Sequence, residues 1–149
     1  MQAHKARITN GLEFLGFEPS SNLELPLFLA EVAAGFPSPA DDFIDRKLDL
    51  NELLVRHPQA TFFVRAHGES MRGAGINSGD LLVVDRAAQP GPGDVVIASV
   101  NGELTVKRLG RSGTKFVLSP EHPDFDPIEI TEETDFELWG RVTYVIHKV

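Results

Sequence analysis

Residues 95–109 read Val95-Val96-Ile97-Ala98-Ser99-Val100-Asn101-Gly102-Glu103-Leu104-Thr105-Val106-Lys107-Arg108-Leu109. Two runs of β-favouring residues flank Asn-Gly, the dipeptide that a two-residue type I′ turn prefers because both positions need φ > 0. The stretch predicts a hairpin whose turn sets the register: Val100 faces Glu103, Ala98 faces Thr105, and Val96 faces Lys107. Lys107 then shares a face with Val96, Ala98, Val100 and Thr105, while Val95, Ile97, Leu104 and Val106 take the other face. Both faces are apolar enough for burial, which leaves little water around the lysine ammonium.

Similar short runs lie on either side of this hairpin. Thr61 to Ala66, Leu81 to Asp85, Lys115 to Ser119, Ile128 to Ile130 and Phe136 to Lys148 are β-favouring and are separated by turn residues. With the hairpin they predict a mainly β fold: a small antiparallel, barrel-like domain with one or two short helices. Asp49-Leu50-Asn51-Glu52 is a capping-box-like helix start, Leu50, Leu53 and Leu54 form one apolar helical face, and His57-Pro58 ends it. Residues 1–40 differ in texture. They hold Gly11, Gly16, Pro19, Pro26 and Gly35-Phe36-Pro37-Ser38-Pro39, with a weak helical stripe at Ile8, Leu12 and Leu15. They are read as a mobile N-terminal arm, and residues 41–149 as the β-rich domain.

The chain has 149 residues, 42% of them hydrophobic, which suits one core rather than two. Fourteen Lys and Arg against 22 Asp and Glu give a net charge of −8, which disfavours direct DNA binding. The absence of cysteine removes thiol nucleophiles, disulfides and Cys-ligated metals. The five histidines are not at metal-ligand spacing, no HExxH occurs, and Gly91-Pro92-Gly93 puts a proline where a phosphate cradle wants an N–H. No metal and no cofactor is therefore expected. No apolar run approaches the roughly 18 residues of a spanning helix, so no membrane insertion is expected. Val32-Ala33-Ala34-Gly35 looks like a signal-peptidase site, yet Glu13, Glu18, Glu24, Glu31 and Pro26 interrupt the preceding region, and the expected compartment is the cytoplasm.

Three features could carry chemistry. Ser70, in Gly68-Glu69-Ser70-Met71, follows the strand ending near Ala66, where a sharp turn projects a hydroxyl. Alone it is an ordinary turn serine. Lys107, in a buried strand, could be a neutral amine able to take the serine proton; the bland alternative is a snorkelling lysine, or one paired with Glu103. Ala33-Ala34-Gly35 combines small side chains that fit a narrow cleft, and is otherwise a flexible linker. A triad through His67 is the rival to a Ser–Lys dyad, but no acid is obviously placed to orient that imidazole.

Taken together these residues resemble the LexA and UmuD group of self-cleaving serine peptidases. Ala34-Gly35 resembles the scissile dipeptide, Gly68-Glu69-Ser70-Met71 the nucleophile motif and Thr105-Val106-Lys107 the general-base strand. Gly35 to Ala40, Asp49 to Leu54, Ser78 to Asp85 and Gly93 to Ala98 are more similar to UmuD members than to LexA members. The resemblance implies a serine peptidase that cuts its own arm between Ala34 and Gly35 when a RecA filament on single-stranded DNA promotes the reaction. It also implies backbone N–H groups of Glu69 and Ser70 as the oxyanion hole. The product is then expected to be a homodimer that joins a UmuC-type translesion polymerase in SOS mutagenesis. Ala-Gly stands where the best-known UmuD sequences have Cys-Gly, and His67 where a smaller residue is common.

Two other readings compete. A non-enzymatic β-barrel interaction module would leave Ser70 and Lys107 inert and use the acidic stretch Glu121 to Glu137 as its partner surface. A LexA-like repressor fragment would need a helix-turn-helix domain, and the 34 residues before the dipeptide are too few for one.

Overall fold

In a computed structural model of the chain, the structure describes residues 7–9, 12–15, 24–28 and 44–149. Two compact units emerge, Met1–Glu18 with His57–Val149, and Pro19–Arg56.

The first unit carries strands β1 (Arg7–Thr9) and β2 (Leu12–Leu15). From residue 57 onward it adds the seven strands that the β-favouring runs and turn residues mark, the first five being β5 (Thr61–Ala66), β6 (Leu81–Asp85), β7 (Val95–Val100), β8 (Glu103–Ser112) and β9 (Lys115–Ser119). β10 (Ile128–Glu129) and β11 (Phe136–Ile146) complete it. Among the described residues these form one antiparallel sheet in the order β1-β2-β5-β6-β11-β7-β8-β9-β10. The second unit holds the two-stranded sheet of β3 (Glu24–Phe28) and β4 (Ile44–Asp49), followed by helix α1 (Leu50–Leu54).

The β7–β8 hairpin has the register set by Asn101-Gly102, with Val100 opposite Glu103, Ala98 opposite Thr105 and Val96 opposite Lys107. Asn101 and Gly102 both take positive φ, at 50° and 84°, as the turn type demands. Both faces of the hairpin are covered. Ile97, Leu104 and Val106 join a core with Leu12, Val64, Met71 and Leu82, while Val96, Ala98, Leu109 and Leu118 form a second core with partly buried Phe116, Phe136 and Leu138 around it. β11 links the two halves of the sheet. Its first part pairs with β7 and its second part with β6, with irregularities between Leu138 and Gly140 and between Val142 and Tyr144. Gly140 is needed there, since a Cβ would meet Val84 Cγ1 at 2.8 Å and the Asp85 carbonyl oxygen at 3.0 Å.

Three expectations change. The sheet is open rather than a closed barrel, because β1 and β10 end it without pairing to each other. The described parts of residues 1–40 are strands, not a helical stripe: β1 and β2 pair, and β2 joins the main sheet with Leu12 opposite Ala66. Leu12 is 2% exposed, so its apolar side chain belongs to the core. The ladder partner that stabilises this segment comes from β5, about fifty residues away, and local periodicity carries no trace of it. Helix α1 is capped by the Asp49 carboxylate, which accepts from the Asn51 N–H at 2.9 Å. It is shorter than two turns, and Leu50 and Leu53 are exposed rather than forming a buried face. Among the described residues no helix is long and apolar enough to cross a membrane.

Candidate active site

The turn after β5 is shaped by backbone chemistry. Gly68 takes φ +103°, a conformation that L side chains rarely adopt, and its N–H donates to Ser78 Oγ at 3.1 Å. Met71, directly after Ser70, is 2% exposed and plugs into the first core, while its carbonyl accepts from the Ala74 and Ile76 N–H groups. A buried neighbour anchors the turn, and the serine hydroxyl is left at the cleft. That cleft, of about 210 Å³, is lined by Leu12, His67, Gly68, Glu69, Ser70, Thr105, Val106, Lys107 and Phe125.

β8 brings Lys107 to the same place. Lys107 Nζ lies 3.0 Å from Ser70 Oγ, 3.0 Å from Thr105 Oγ1 and 3.1 Å from the Val106 carbonyl oxygen. The residue is 9% exposed, and among the described residues it makes no ion pair; neither snorkelling nor pairing with Glu103 describes it. Burial removes water from the ammonium and lowers the lysine pKa from its ordinary 10.5. The three neighbours match either protonation state. An ammonium donates three N–H bonds to three acceptors, whereas a neutral amine donates to Thr105 Oγ1 and the Val106 carbonyl and accepts from the Ser70 hydroxyl through its lone pair. Thr105 lies two residues before Lys107 on the same strand face, so strand alternation already carried that signal.

Among the described residues, Lys107 is the hydrogen-bond partner of the Ser70 hydroxyl, and no imidazole nitrogen bonds it. His67 lines the cleft, and three other histidines sit near acids elsewhere: His57 with Asp85, His147 with Asp80, and His122 with Asp124. Glu69 and Ser70 both line the cleft. Ala34 and Gly35 lie outside the described residues. No group of three His, Asp or Glu side chains that could hold a metal occurs among the described residues.

The Peptidase S24-like family matches residues 26–143, most of the chain. The chain belongs to that family, the LexA and UmuD group. Protein SamA of Salmonella typhimurium is 50% identical over 123 residues, which cover 83% of this chain and 85% of SamA. Protein ImpA of Escherichia coli is 47% identical over 129 residues, 83% of each chain. The LexA repressor of Pseudomonas chlororaphis is 37% identical over 142 residues, 94% of this chain and 69% of the repressor. This S24-like chain carries its serine and lysine 37 residues apart in sequence and in hydrogen-bond contact.

Sequence reasoning missed three residues around the site. Leu12 and Phe125 line the cleft, and Glu121 bonds the main chain of the serine turn. Leu12 reaches the cleft only through strand pairing. Phe125 and Glu121 come from the connection between β9 and β10, whose composition reads as a solvated acidic stretch.

Proposed function

We propose that this S24-like chain is a UmuD-like serine peptidase that cuts itself between Ala34 and Gly35, with Ser70 as nucleophile and Lys107 as general base. One observation carries the reading: a lysine amine, desolvated and without a counter-charge among the described residues, lies 3.0 Å from a turn serine hydroxyl. Neutral Lys107 takes the Ser70 proton as Oγ attacks the Ala34 carbonyl carbon. The N–H groups of Glu69 and Ser70 stabilise the oxyanion of the tetrahedral intermediate. When that intermediate collapses, the Ala34–Gly35 bond breaks, the Lys107 ammonium returns the proton to the Gly35 amine, and Ala34 remains as an ester on Ser70. Water, deprotonated by Lys107, then hydrolyses the ester and frees the serine.

In this reading a RecA filament promotes cleavage by favouring the docked form of the arm, a population shift rather than a gift of catalytic groups. The product acts in the cytoplasm as a homodimer with a UmuC-type translesion polymerase, without binding DNA directly. Support for the dimer comes from β11, whose last residues, among the described residues, pair with β6 alone and expose Tyr144, Val145 and Ile146. The test is the intact mass of the purified chain after incubation at alkaline pH without a partner. A slowly accumulating fragment that ends at Ala34, absent from the Ser70→Ala chain, is the expected result. An uncut chain at every pH, with and without RecA filaments, refutes it.

A further inference from the structure

Glu121 follows β9 by two residues and makes three contacts that converge on Ser70 and Lys107. Its N–H donates to the Ser70 carbonyl at 2.7 Å, and its own carbonyl accepts from the Gly73 N–H at 2.7 Å. Its carboxylate pairs with Nε of Arg108, the residue after Lys107 on β8. Arg108 also donates through Nη1 to the Gly93 carbonyl at 2.6 Å, so the guanidinium is held on two sides. The approach at residue 73 is closer than any side chain permits: a Cβ on Gly73 would stand 2.6 Å from the Glu121 carbonyl oxygen. Hence the main chain around Ser70 is bracketed by two bonds to Glu121, and Glu121 is tied to the strand that bears the base.

We propose that Glu121, held by Arg108, is a positioning residue that sets the distance between Ser70 Oγ and Lys107 Nζ. The proposal rests on the peptidase reading above. The two halves of the dyad lie on separate segments, and no helix or common strand fixes one against the other. Proton transfer needs a heavy-atom separation of about 2.6–3.2 Å, and the observed 3.0 Å is near the upper end. A drift of about 1 Å costs on the order of 100-fold in rate. The Arg108–Glu121 pair is only partly buried, at 37% and 35% side-chain exposure, so it adds little to global stability. Its loss should therefore appear in the chemistry far more than in the melting curve.

The experiment uses the full chain and two rates at one alkaline pH: self-cleavage followed by intact mass, and labelling of Ser70 by a fluorophosphonate, which needs no docked arm. Glu121→Ala is expected to slow both by about 10- to 100-fold with a melting temperature close to the parent's. Glu121→Gln, which keeps an oxygen for Arg108, is expected to fall between the two and to remain folded if the alanine variant does not. The charge-exchanged double variant, Arg108→Glu with Glu121→Arg, is expected to recover most of the lost rate; a loss and a recovery that both occur at an unchanged melting temperature are what a merely structural role would not produce. Parental rates in both Glu121→Ala and Glu121→Gln, or a loss that the exchanged pair does not recover, overturn the positioning role. A parent chain that neither cuts itself nor labels at Ser70 overturns the dyad beneath it, and that outcome is distinct because the variants are then not needed to see it.

Discussion

A base that works by losing its proton has a rate that follows its neutral fraction, and for Lys107 the structure sets the direction of that curve. The amine is 9% exposed, its pKa is lowered by burial, and no carboxylate among the described residues pulls it back up. Self-cleavage should rise by about tenfold per pH unit and level off at a midpoint below the 10.5 of an ordinary lysine. The sign also fixes a stability effect. Because the folded state holds the proton more weakly than the unfolded chain, the penalty for burying the ammonium is fully present below the folded pKa and is relieved as pH rises towards 10.5. Lys107→Arg keeps the positive charge but cannot release a proton at any accessible pH. It should lose about 10²–10⁴-fold in rate, the usual contribution of a general base. The assay is intact-mass kinetics from pH 7 upward on the parent and Lys107→Arg chains, with melting curves to show that both are folded. A midpoint at or above 10.5, or a Lys107→Arg chain that cuts at near the parent rate, refutes the mechanism.

Ser70→Ala should abolish cleavage yet unfold within about 0.5–1.5 kcal/mol of the parent, since it deletes one hydroxyl and one hydrogen bond at a cleft; residual cutting removes Ser70 from its role. Gly35→Glu should remain uncut with Ser70 and Lys107 intact, because a charged side chain does not fit a cleft suited to small residues, and normal cleavage would place the scissile bond elsewhere. Asp85 offers a test of the fold apart from the site. Burial alone would raise its carboxyl, yet the His57 side chain and the Ala87 N–H, at 2.7 and 2.8 Å, hold it below the ordinary 3.8. Asp85→Asn should destabilise the chain at neutral pH by about 1–3 kcal/mol, with the difference shrinking as pH falls below 3.8 and through the folded pKa; a difference constant with pH in chemical denaturation would contradict the pairing.

Legibility in this chain follows the source of each signal. The β7–β8 register was readable because Asn101-Gly102 encodes it within two residues, and from it came the partly buried face that holds Lys107. Four strand spans were readable to the residue, since each is a β-favouring run set off by nearby Gly, Pro, Asp or Asn, while β8 runs three residues past the expected Leu109. β1 and β2 were not, because what holds them is a ladder to β5, and a short glycine-flanked segment looks the same with or without that partner. The open sheet was equally hidden, for local pattern specifies strands but not whether the first and last of them meet.

The dyad divides along the same line. Ser70 and Lys107 could be singled out because in the proposed mechanism their own side chains react: each is ordinary alone, a turn serine and a strand lysine, and only the two together suggest a dyad. Glu121 meets the serine turn through its N–H and carbonyl, groups that every non-proline residue has, so its identity reveals nothing of that contact, and the carboxylate that meets Arg108 reads as the first acid of an acidic stretch. Gly73 is the counterpart: its lack of a Cβ is what admits the Glu121 carbonyl, yet beside Gly68 and Gly75 it passes as one more turn glycine. A residue that reacts can thus be found from its type, while a residue that holds another in place through the main chain is found only once the chain is folded. For a Ser–Lys pair this matters more than usual, because the two halves are 37 residues apart in sequence, and the 3.0 Å between them depends on contacts between segments that neither motif records.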